Sequence, residues 1–122
     1  MITRKEIEAF LVRYGAALGN KDLDTVIASW QAPALAIDDD ASRGFVDAAG
    51  IADHFNATLT GDQPVPTTPM LDGFDVFGKA VLTADVAWRA AGADIGEKRY
   101  RYTLSGNDEL GYRLRGMIAM AG

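Results

Sequence analysis

The hydrophobic period of this chain changes once, near Met70, and that change limits the folds open to it. Before residue 60 the apolar residues recur every three or four positions; after Met70 they recur every two. Ile7, Phe10, Leu11, Tyr14 and Leu18 mark a first helix over residues 4–18, with Thr3 as N-cap, Glu6 as its capping-box partner and Gly19-Asn20 as a stop. Asp22 caps a second helix carrying Leu23, Val26, Ile27 and Trp30, which Pro33 should end. Ala34 to Asp38 reads as a short strand and Arg43 to Val46 as a second strand or extended link. Asp47 caps a third helix with Ile51, Phe55 and Leu59 on one face and His54 beside them. The segment from Thr58 to Pro69, with Pro64, Pro66 and Pro69, is expected to be a loop or a sheet edge, because proline cannot donate to a ladder.

Beyond Met70, Phe74 and Val76 alternate with Asp75; Leu82, Ala84, Val86 and Trp88 alternate with Thr83, Asp85 and Arg89. Tyr100, Tyr102 and Leu104 alternate with Arg99, Arg101 and Thr103, and Tyr112, Leu114, Gly116 and Ile118 with Arg113 and Arg115. Turns are expected at Gly78-Lys79, Gly92–Gly96 and Ser105–Glu109. Four strands with one apolar face each predict an antiparallel sheet covered on one side, and the three N-terminal helices must cover it. The prediction is a single α+β domain over residues 1–122.

Composition narrows the function classes. The 17 acidic residues outnumber the 12 basic ones, for a net charge of −5, which argues against a nucleic-acid or anionic-membrane partner. There is no cysteine and one histidine, so thiolate chemistry, disulfides and cysteine or multi-histidine zinc sites are excluded. The N-terminus M-I-T-R-K-E has no long apolar run, so neither a signal peptide nor a membrane span is expected, and the expected compartment is the cytoplasm.

The stretch R-Y-G-A-A-L-G-N-K-D-L-D, the apolar helix to Trp30 and the strand ending in Asp38 resemble the superfamily of ketosteroid isomerase, nuclear transport factor 2 and the SnoaL-type cyclases. The likeness to ketosteroid isomerase runs without a gap from Arg13 to about Leu59, including I-A-D-H-F on the third helix, and continues by strand pattern alone. It implies a cystatin-like cone, a curved mixed or antiparallel sheet wrapped around three helices, with a pocket at its open end. The resemblance places Tyr14 on the oxyanion-stabilising tyrosine and Asp38 on the catalytic base, and it implies carboxyl groups tuned by their surroundings, as in that isomerase. The family's second acid has no counterpart on the inward face of the next-to-last strand, where Tyr100 is the nearest match and Tyr102 the alternative. Asp39 and Asp40 stand where the family often has proline, and His54 falls on a pocket-facing aromatic position.

The candidate catalytic residues are therefore Asp38 as base, Tyr14 and Tyr100 as oxyanion donors and His54 as assistant. Trp30, Phe55, Trp88, Tyr102 and Met117 are the candidate ligand-binding wall. Such chemistry implies no cofactor and no metal, a small apolar or aromatic ligand and, as is common on this fold, a homodimer. Each residue also has a plain alternative: Tyr14 as a bonded core tyrosine, Asp38 as the first of three loop acids, His54 as a lining residue. Three functions stay open: isomerase or dehydratase-type acid–base chemistry on an apolar carbonyl compound, non-catalytic binding of a hydrophobic ligand, or a homodimerisation domain.

Overall fold

A computed structural model describes residues 2–38, 41–61, 67–89, 97–107 and 111–120. Asp39, Asp40, Pro64, Pro66 and the expected turn at Gly92–Gly96 lie outside the described residues. Helices α1 (Arg4–Gly19) and α2 (Leu23–Ala28) are followed by strands β1 (Trp30–Ile37) and β2 (Ser42–Phe45). Helix α3 (Ala48–Thr60) precedes β3 (Thr68–Phe77), β4 (Val81–Arg89), β5 (Lys98–Asn107) and β6 (Gly111–Ala119). The strands form one six-stranded sheet in the order β2-β1-β6-β5-β4-β3. Pairing is antiparallel throughout except between β1 and β6, which run parallel. This is the expected α+β class, with an open, curved mixed sheet and three helices.

The helix starts are set by side chains that the sequence identifies. Thr3 Oγ1 accepts from the Glu6 N–H at 3.3 Å, Asp22 Oδ1 from Thr25 N–H at 3.3 Å and Asp47 Oδ1 from Gly50 N–H at 3.0 Å. Period two then decides the faces of the sheet. Leu82, Ala84, Val86 and Trp88 of β4 turn inward beside Tyr102 and Leu104 of β5 and Leu114 of β6. They meet Ile7, Leu11, Tyr14 and Leu18 of α1, Val26 of α2 and Ile51, Phe55 and Leu59 of α3 in one core cluster. Each large side chain buried this way contributes about 1.5–3 kcal/mol against leaving it in water.

Two expectations are corrected. Trp30 is the first residue of β1 and pairs with Leu114, so α2 ends at Ala28, five residues before Pro33. The helix stops because Ser29 turns its hydroxyl and N–H back onto the Thr25 carbonyl while its own carbonyl accepts from Leu114 N–H at 2.7 Å, tying the chain to β6. Pro33 is tolerated inside β1 because the pairing with β6 is irregular between Trp30 and Leu35, and the β2 ladder begins only at Ala34. The second correction is in β6, where Ile118 was expected on the inner face. A register shift places Leu104 opposite Leu114 but Thr103 opposite Gly116. This bulge reverses the alternation, so Met117 faces inward opposite Tyr102 and Ile118 faces outward opposite Arg101, 43% exposed. Pro69 lies in β3 at the edge of the sheet, one of the two places allowed for it.

Candidate functional site

Tyr14 lies on the buried face of α1, three residues after Leu11, and its ring is 3% exposed. Its hydroxyl oxygen accepts a hydrogen bond from Trp30 Nε1 at 3.0 Å. Across the sheet the same arrangement recurs, with Trp88 Nε1 donating to the Tyr102 hydroxyl at 2.8 Å. An indole is a donor without an acceptor, so in both pairs the phenol oxygen accepts and its own proton is left to donate elsewhere. Burial pushes the Tyr14 phenol well above the usual tyrosine value; the Trp30 bond partly offsets this and nearby Tyr100 adds to it. Burial raises Tyr102 in the same way, with Tyr14 and Tyr100 among its electrostatic neighbours. At neutral pH these phenols are hydrogen-bond donors and not bases.

Asp38 and His54 occupy a different neighbourhood. Asp38 follows the last residue of β1 and is exposed; its Oδ1 accepts from Ala41 N–H at 2.8 Å, and its own N–H donates to the Ala41 carbonyl at 2.9 Å. His54 projects from α3 and is half-buried between two rings, Phe45 of β2 at 5.3 Å and Phe55 at 5.0 Å. Desolvation lowers its pKa below 6.5, the Arg43 guanidinium lowers it further and the Asp38 carboxylate pulls it back up. The imidazole is therefore neutral at physiological pH, close enough to Asp38 and Arg43 to feel both. His54, Arg43 and Phe45, without Asp38, border a groove of about 710 Å³ between β2 and α3, lined also by Asp53 and Thr58.

One run of rings connects the two neighbourhoods. Phe45, His54, Phe55 and Trp30 follow one another at 5.0–5.6 Å, and Trp30 bonds Tyr14. Tyr14 sits edge-on to Trp88 at 6.2 Å, Trp88 to Tyr102 at 6.5 Å, and Tyr102 lies 6.0 Å from Tyr100. Thus Tyr14 and Tyr100 fall in one group and Asp38 and His54 in the other, with Trp30 and Phe55 between the phenol and the imidazole. Tyr100 and Met117 are partly buried and pack against the core, whereas Trp30, Phe55, Trp88 and Tyr102 are 5% exposed or less. Among the described residues there is no group of three or more His, Cys, Asp or Glu placed to hold a metal ion.

Arg43 is the functional neighbour that reading by motif missed. A signal was available: it is the only lysine or arginine between Lys21 and Lys79, three residues after the end of the aspartate triplet. The two arginines that alternate with the apolar residues of β5 are paired on the outer sheet face, Arg101 to Asp85 through two bonds of 2.7 and 3.0 Å and Arg99 to Glu97 and Asp72. Arg115 instead donates to the Pro33 carbonyl and the Ser105 hydroxyl.

No family model matches the sequence, and no curated protein matches it. Solved structures do. A domain of unknown function with a cystatin-like fold from Nostoc punctiforme is similar with a TM-score of 0.75 at 13% identity, over 99% of this chain and 80% of that one. A nuclear transport factor 2-like protein of unknown function from Pseudomonas putida is similar with a TM-score of 0.65 at 15% identity, over 97% and 85%. A candidate ketosteroid isomerase from Shewanella frigidimarina gives 0.64 at 12% identity, over 92% of each chain. The chain therefore has the fold of the nuclear transport factor 2-like superfamily, the cystatin-like α+β cone. Among the described residues no helix is long and apolar enough to cross a membrane.

Proposed function

We propose that this chain is a single-domain, small-molecule-binding protein that performs cofactor-free proton transfer on an apolar carbonyl compound. The ligand's oxygen receives hydrogen bonds from Tyr14 and Tyr100; because Trp30 and Phe55 stand between these phenols and His54, the reading requires those two rings to part around the ligand and, with Trp88, Tyr102 and Met117, to form its apolar wall. Asp38 removes a proton next to the carbonyl, the phenols stabilise the enolate oxygen, and the resulting carboxylic acid returns the proton at another carbon. His54, neutral and beside Asp38, assists that return. The observation that carries this reading is the Trp30-to-Tyr14 hydrogen bond: it orients a buried phenol while leaving its proton to donate, and burial keeps that proton in place at neutral pH. Proton transfer of this kind runs on side chains alone.

The test is turnover of a β,γ-unsaturated ketone, followed by the ultraviolet absorbance of its conjugated product. Asp38→Asn should lower kcat by about 10²–10⁴-fold, and Tyr14→Phe by about 10²–10³-fold. An inactive parent protein that still binds the ketone saturably would remove the catalytic half and leave the binding half. Absence of binding would remove both.

A second reading is favoured by a specific observation. Trp30, Trp88 and Tyr102 are only 2–3% exposed, so their rings fill the interior, while Asp38 engages its own loop. A filled cone of this kind suits a homodimerisation domain, whose contact would be the outer face of the sheet.

A further inference from the structure

A second groove lies outside the cone's interior, between α1, the end of α2 and the start of β6, with a volume of about 440 Å³. That size suits a small organic ligand. Its apolar floor is built from two half-buried rings, Phe10 and Tyr112, both packed against the core. Phe10 is held in place by Tyr14, whose ring lies nearly parallel to it at 6.4 Å and 13°. The walls are also fixed: the Ser29 carbonyl accepts from Leu114 N–H at 2.7 Å, which pins the end of α2 to β6. The hydroxyls of Thr25 and Ser29 are occupied within α2, on the Asp22 carboxylate and the Thr25 carbonyl. The remaining polar character comes from charge. Arg13 reaches the groove from α1 and Arg113 from β6.

These two arginines differ from their neighbours. Arg89, Arg99 and Arg101 are in ion pairs with Glu97, Asp72 and Asp85, and Arg115 is committed to the Pro33 carbonyl and the Ser105 hydroxyl. Arg13 and Arg113 have no ion-pair partner among the described residues. Glu6, also on the groove, accepts from the Thr3 hydroxyl at 3.2 Å in the cap of α1. Two exposed guanidiniums from different elements, beside a floor of two rings on a chain of net charge −5, form a local basic and aromatic site on an acidic protein.

We infer that this groove binds an aromatic carboxylate, its ring against Phe10 and Tyr112 and its carboxylate between Arg13 and Arg113. Guanidinium matches carboxylate geometry through paired N–H donors, and its charge strengthens each bond. The site is separate from the proposed proton-transfer site and shares no catalytic residue with it.

The probe is 2-naphthoate, titrated into the intact protein by calorimetry, with 2-naphthamide as the uncharged control. The parent should bind 2-naphthoate saturably and at least about tenfold more tightly than 2-naphthamide. Arg13→Gln and Arg113→Gln should each weaken 2-naphthoate binding by about tenfold or more and leave 2-naphthamide unchanged, while Arg99→Gln on the outer sheet face should change neither. Circular dichroism of the same samples establishes that the variants are folded. Should either glutamine variant unfold, the lysine variants serve: charge without the planar fork should also weaken binding. Equal affinity for the two probes, no loss in the arginine variants, or no saturable binding to the parent overturns the inference. Because the readout uses neither Asp38 nor a ketone, its failure is distinguishable from failure of the proton-transfer reading.

Discussion

His54 shows how a side chain's chemistry is set by neighbours that are distant in sequence. Phe45 and Phe55 remove water from part of the ring, Arg43 repels its proton and Asp38 attracts it, and the net effect is a pKa below 6.5. In the unfolded chain the imidazole titrates near 6.5. Above that pH it is neutral in both states, and its contribution to stability is fully present. As the pH falls below about 6.5 the unfolded chain takes a proton that the folded chain resists, so stability declines until the pH passes the folded value. Urea denaturation at pH about 7.5 and about 5.5 should show the parent losing more stability on acidification than His54→Gln. Equal losses in the two proteins would refute the assignment. Tyr14, Asp38 and His54 could be singled out from the sequence because each sits at a marked place: an apolar stripe, a strand end, a helix face. The grouping could not be read, since Arg43 and Phe45 approach His54 only through the β1–β2 hairpin, and Trp30 reaches Tyr14 only because it begins a strand.

Gly15 on α1 reverses an ordinary rule about helices. In a helix interior alanine is normally favoured over glycine by roughly 0.5–1 kcal/mol. Here a Cβ on Gly15 would stand 2.3 Å from the Thr67 carbonyl oxygen and 3.0 Å from Trp88 Cζ3, so the glycine lets α1 approach the sheet closely at the start of β3. Gly15→Ala should therefore destabilise by about 1–3 kcal/mol, because the obstacle is backbone and cannot turn aside. The neighbouring exposed position gives the contrast: Ala16→Gly should cost only roughly 0.5–1 kcal/mol. Chemical denaturation of the two variants decides the matter, and a stabilised Gly15→Ala would contradict the packing described. The elements themselves were largely readable where one period held without interruption, as in α1, α3, β4 and β5. They were misread where tertiary pairing overrode local preference. Proline rules ended α2 too late because the irregular β1–β6 pairing gives Pro33 a place inside a strand. Strict alternation put Ile118 inside because a bulge adds no signal of its own to the residues Leu114 to Gly116.

The whole sheet has an outer face that the helices do not cover. Alternation and register send Leu35, Met70, Phe77, Val81 and Ile118 to it, each between 37% and 57% exposed. Leu35 and Ile118 lie on adjacent strands, two residues apart in register, with Ile37 beside them. Gly44, Gly116, Thr103 and Thr83 continue the Leu35 row across the sheet, so small side chains flank the apolar residues and leave them open to a second surface. Beyond it, Arg101 and Asp85 neutralise each other through their paired hydrogen bonds, so covering them would not strand a lone charge. A symmetric pair of chains meeting face to face would bury the same patch on each partner, and a stable contact of this kind needs roughly 800 Å² from each. Sedimentation should therefore find the parent as a dimer at micromolar concentration and Ile118→Glu as a monomer, since the new carboxylate would be buried opposite apolar surface. Val12→Glu is the matched control: Val12 is 59% exposed but lies on α1, away from this face, and its substitution should leave the dimer intact. A monomeric parent, or dissociation by Val12→Glu with Ile118→Glu still dimeric, would move the contact elsewhere on the molecule.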